Sequence, residues 1–151
     1  MEQSAISILE RQDSRLESYP EMRTKVRQHI ETTRQQSSMI EDCISQLGGD
    51  TSTLKDLAGK FAGNMGAIMN ATASDEVVKN AIASYTFEQF EIASYRSLIA
   101  AADELGESRI SDICKEILEQ EEEMADWLDE NIPSITQQFL VRETAGLQSK
   151  R

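Results

Sequence analysis

Turn-forming residues are scarce in this chain. Seven glycines and two prolines among 151 residues are too few for an all-β protein, which needs turn signals every few residues. Two cysteines, Cys43 and Cys114, with no C-x-x-C spacing, predict neither a disulfide framework nor a cysteine-rich zinc site. Histidine occurs once, at His29. Basic residues are outnumbered 15 to 27, for a net charge of −12, so no nucleic-acid partner is expected. Long apolar runs are missing too. The longest, Leu98-Ile99-Ala100-Ala101-Ala102, falls far short of the roughly 20 residues that a membrane-spanning helix needs. Met1-Glu2-Gln3-Ser4 carries no basic segment, which predicts no secretory signal and a cytoplasmic location.

What is present reads as helix. Charged residues make up 28% and apolar ones 39% of the chain, the balance of a folded helical protein rather than a disordered one. Ala5, Ile8, Leu9 and Leu16 predict a first amphipathic helix over about 2–17. Pro20 then suits the start of a second, because its missing N–H would be unpaired there anyway. That second helix runs over about 21–47 and stops at Gly48-Gly49. Leu54, Leu57, Phe61, Met65 and Ile68 keep helical spacing through a glycine-interrupted stretch, 50–73, which we read as a crossover helix. A third helix begins at Ser74 or Asp75 and ends near Leu105. Ser108 caps a fourth that Asn131-Ile132-Pro133 stops, and Ile135, Phe139 and Leu140 form a short C-terminal helix. The expected fold is an all-α antiparallel four-helix bundle with a crossover. Residues 1–142 form one domain and 143–151 a frayed tail.

Acids placed where the helical period calls for apolar residues carry the functional signal. In the third helix the inward stripe reads Val78, Ala81, Tyr85, Glu88, Ile92, Tyr95, Ile99 and Ala102, with Glu91 three residues from Glu88, on the side of Tyr95 and Leu98. In the fourth it reads Ile110, Cys114, Ile117, Glu121, Met124 and Leu128. Folding these helices back around Gly106 brings Glu88, Glu91 and Glu121 within about one turn, ~5.4 Å, of a common height. Folding the first hairpin about Tyr19 places Glu2 opposite Gln36, while His29, Thr33 and Gln36 make the centre of the second helix polar. Unpaired carboxylates taken out of water cost several kcal/mol each and repel one another. A divalent cation relieves several together, and oxygen-rich helical sites suit iron or manganese. Spacing alone leaves a second reading open, a water-filled groove or an ion pair at an oligomer contact.

The run Phe87-Glu88-Gln89-Phe90-Glu91-Ile92-Ala93-Ser94-Tyr95, followed by Leu98 to Ala102, resembles the signature of the YciE/YciF-type bacterial stress proteins. Ser18-Tyr19-Pro20-Glu21-Met22 with His29, and Met124 to Leu128 through Pro133, are similar to the YciE branch. The likeness spans 1–142 and implies a ferritin-like bundle, usually a homodimer, with one or two iron or manganese ions held by carboxylates. On this resemblance Glu2, Glu88, Glu91 and Glu121 are the metal ligands. His29, Thr32, Gln36 and Tyr95 orient or line the site, and His29 stands back because it lies ~10 Å along the axis from the height of Glu2. Thr32 and Gln120 depart from the family, whose members have glutamates there. They favour a single metal or a weakened second position. Redox handling of oxygen or peroxide is the chemistry the resemblance permits. The rival expectation is a metal-free structural or interaction bundle with a degraded site. Cys43, Cys114 and Tyr85 read as core, and Trp127 as a packing or interface anchor.

Overall fold

The computed structural model describes residues 1–48 and 75–149. Within them lie four helices, α1 (Glu2–Asp13), α2 (Pro20–Gln46), α3 (Glu76–Glu104) and α4 (Ser108–Thr144), and no strand. The crossover helix expected over 50–73 lies outside the described residues.

The first hairpin turns early. α1 stops at Asp13 rather than near Glu17, and the turn itself contributes to the core through Leu16 and Tyr19, both buried. Arg23 and Arg27 of α2 both reach back to Asp13 Oδ1, at 3.0 and 2.6 Å. Pro20 occupies the first turn of α2, as its missing N–H favours. Gly48 ends α2 and Gly106 ends α3, each at positive φ (72° and 74°). There a side chain would be strained, and glycine is the usual residue. Glu107 N–H closes the α3 terminus by donating to Ala102 O at 2.9 Å.

Two apolar clusters fix the directions of the helices. One gathers Leu9, Leu16, Tyr19, Met22 and Val26 with Val77 and Ala81 from the start of α3 and Ile135 and Phe139 from the end of α4. The other joins Tyr95, Cys114 and Ile117 with Met1, Met39, Ile40 and Ile99. Hence α1 runs antiparallel to α2 and α3 antiparallel to α4, while α2 and α3 point the same way, the arrangement that a long crossover connection permits. The candidate ligands lie between the two clusters.

Two expectations need correction. Pro133 does not end a helix: α4 continues through it to Thr144, so no separate C-terminal helix forms. Proline costs helix stability, but Ile135 and Phe139 beyond it are buried against the first hairpin. Asp129, whose carbonyl loses its usual partner, lies on the exposed side. Tyr19 Oη donates to Ser149 O at 2.5 Å, and Arg142 Nε donates to Gln148 O at 2.6 Å. Leu98 is 46% exposed and does not join Glu91 inside. Among the described residues no helix is long and apolar enough to cross a membrane.

Candidate metal centre

α3 buries polar side chains alongside its apolar ones. Asn80, Ser84, Glu88 and Glu91 are buried, whereas Ile82, Leu98 and Leu105 are exposed. Their spacing of three and four places the polar side chains in one row facing the bundle. α1 adds Glu2 and Gln12 to the interior, α2 adds His29, Thr33 and Gln36, and α4 adds Glu121. In α4 the neighbours Glu119 and Glu123 are exposed and Glu122 is half-buried, so one acid of the run is fully enclosed.

These groups converge from four helices. Ligand atoms of His29, Glu88 and Glu121 all lie within 4.8 Å of one another, and so do those of Glu2, Glu91 and Glu121. Glu121 belongs to both groups. His29 Nε2 is 3.4 Å from Glu88 Oε2 and 3.8 Å from Glu121 Oε2. Glu88, Glu91 and Glu121 are each no more than 2% exposed. Yet Glu2 Oε2, His29 Nε2, Glu88 Oε2 and both oxygens of Glu91 and of Glu121 have no hydrogen-bond partner. Buried polar atoms are nearly always satisfied. So dense a set of enclosed donor atoms could hold a cation.

The electrostatics agree. Burial, joined by repulsion from Glu2, pushes the Glu88 carboxyl up to about 7. Burial and the adjoining Glu88 push Glu121 up to about 9. Glu91 is raised well above the carboxylate range by burial and by its three acidic neighbours. Burial also raises Glu2, against the Tyr95 hydroxyl, which donates to Glu2 Oε1 at 2.5 Å. His29 is lowered by burial, which outweighs the pull of Glu121 and Glu2. Without a cation, the interior therefore favours protonated acids beside a neutral imidazole.

The structure brings Glu2, Glu88, Glu91 and Glu121 together with His29, joins Tyr95 to them through Glu2, buries Gln36 against Gln120, and leaves Thr32 aside. His29 stands in line with the carboxylates rather than behind them. Its height along the hairpin relates it to Glu2, but across the bundle it faces Glu88 and Glu121. Thr32 is half-buried, and its hydroxyl donates to Gln28 O of its own helix at 3.3 Å. Its neighbour Thr33 is the buried one, donating to His29 O at 2.8 Å. Gln36 Nε2 donates to Gln120 Oε1 at 3.0 Å, so the two amides pair across α2 and α4. A second buried network escaped notice: Gln12 Nε2 donates to Ser84 Oγ at 2.8 Å and to Asn80 O at 3.3 Å. The row 80, 84, 88 was its signal, one helical turn per step.

Residues 1–141 match the family model described as a domain of unknown function, DUF892. The chain is also similar to the crystal structure of a protein from Xanthomonas campestris pv. campestris. The two are 39% identical, with 95% of this chain and 89% of that one covered and a TM-score of 0.79. With its all-helical bundle and a match over residues 1–141, the chain belongs to the DUF892 family, the YciF-like ferritin-like proteins.

Proposed function

We propose that this protein is a metal-carboxylate member of that family, of the YciE branch, holding two adjacent iron or manganese ions inside the bundle. His29, Glu88 and Glu121 would hold one, and Glu2, Glu91 and Glu121 the other. The observation that carries the reading is the pair of overlapping ligand groups built from buried atoms without hydrogen-bond partners. Four carboxylates and one imidazole are a hard, oxygen-rich set of the kind these metals take in helical bundles. Two divalent ions would also cancel four negative charges. His29 would supply from α2 the donor that Thr32 does not. Gln36, Gln120 and Tyr95 would orient the centre, Tyr95 through its hydrogen bond to Glu2. A metal-free bundle would have to enclose four carboxyl groups whose charged forms burial penalises.

When bound, such metals supply redox chemistry toward oxygen or peroxide, and this suits a role in stress defence. The residues themselves would exclude bulk water and fix the ligand geometry. The reading includes a cytoplasmic homodimer, for which exposed Ile82 and Leu98 of α3 offer apolar surface. Elemental analysis of protein purified without chelator, followed by ferrous titration, tests the metal. Binding approaching two equivalents per chain is expected; less than about half an equivalent after loading would overturn the reading.

A further inference from the structure

A cleft opens between α1 and α3 beside the candidate centre. Ala5 and Ile8 wall it from α1, Ala83 and Phe87 from α3, and Ser84 and Glu88 also line it. Ala83 is partly exposed, whereas Glu88 is 2% exposed, so the lining includes both surface and interior residues. It has a volume of about 10 Å³, room for a single water-sized molecule. Glu88, one of its lining residues, has an Oε2 without a hydrogen-bond partner and belongs to the group with His29 and Glu121. Ser84 Oγ is held by Gln12, leaving walls that are mostly carbon.

Size and polarity select what can pass. A hydrated ion would have to shed its water against carbon walls, a steep penalty. Anions face in addition a net charge of −12. An apolar diatomic molecule loses almost no solvation on entry. We propose that this cleft is the passage by which dioxygen reaches the centre, kept open by the small side chains of Ala5 and Ala83. The inference rests on the metal reading above and adds to it the route and the class of molecule admitted.

Nitric oxide, a neutral diatomic of similar size, is the probe. Its association with anaerobic, ferrous-loaded protein is followed by stopped-flow absorbance in the wild type, Ala83→Leu and Ile8→Ala. Leucine at 83 should fill the mouth and slow association by about tenfold or more, because tightly packed interiors pass little around a filled neck. Bound iron per chain should stay as in the wild type. Ile8→Ala should widen the neck and speed association severalfold. An unchanged rate in Ala83→Leu at full iron content would overturn the passage while leaving the metal reading intact. Should Ala83→Leu fail to fold or load, Ile8→Ala decides: a faster rate supports the passage and an unchanged rate overturns it. A wild type that binds no iron would overturn both.

Discussion

At the scale of single residues, the centre turns on Glu121, which belongs to both ligand groups. Replacing it with glutamine should impair both metal positions, whereas His29→Ala should empty only the one it shares with Glu88. Metal content after ferrous loading checks this; equal losses in the two variants would contradict it. Tyr95→Phe removes the donor to Glu2 Oε1 and should destabilise the metal-free protein by about 1–3 kcal/mol, the penalty for a buried acceptor left unmade. Urea denaturation in the presence of chelator measures it. Much of this was legible in the sequence. Glu88, Glu91 and Glu121 interrupt apolar stripes at helical spacing, and burial of an acid there has few explanations. His29 was harder because heights along a hairpin do not fix which neighbours a side chain faces across the bundle. Thr32 misled because one step along a helix turns a side chain by about 100°, enough to carry it out of the seam that Thr33 occupies.

Among the elements, α4 shows tertiary burial overriding local preference. Pro133 stands exposed within the helix, and sequence signals alone place a terminus there. Burial of Ile135 and Phe139 decides otherwise. Because position 133 is already helical, Pro133→Ala should raise stability, by up to about 3 kcal/mol on the helix-interior scale. Thermal denaturation tests this, and a lower melting temperature would argue that α4 is interrupted. The α4 terminus is closed by Gly146 at φ 66°, and Leu147 N–H donates to Arg142 O at 2.9 Å. The lesson of α3 is different. Its inner face is so polar that its amphipathic pattern is blurred, yet the departures from pattern mark the candidate centre.

For the whole molecule, the enclosed acids predict how stability changes with pH. Glu88 and Glu121 have folded values of about 7 and about 9, above their ordinary range. Their neutral forms thus stabilise the metal-free fold fully below about pH 4.5, and this contribution is lost as pH rises through 7 and 9. The metal-free protein should melt at progressively lower temperature between pH 5 and 9. A cation takes the place of those protons, so the gain in melting temperature on adding metal should widen over the same range. Scans with and without chelator measure both trends. A Glu88→Ala, Glu91→Ala double variant should lose the metal-dependent gain at every pH.

The most direct measurement is anomalous diffraction at the iron and manganese edges from crystals of protein prepared without chelator. Two neighbouring peaks are expected, one among His29, Glu88 and Glu121 and one among Glu2, Glu91 and Glu121. A bundle interior with no anomalous signal after loading, or peaks confined to surface carboxylates, would contradict the account.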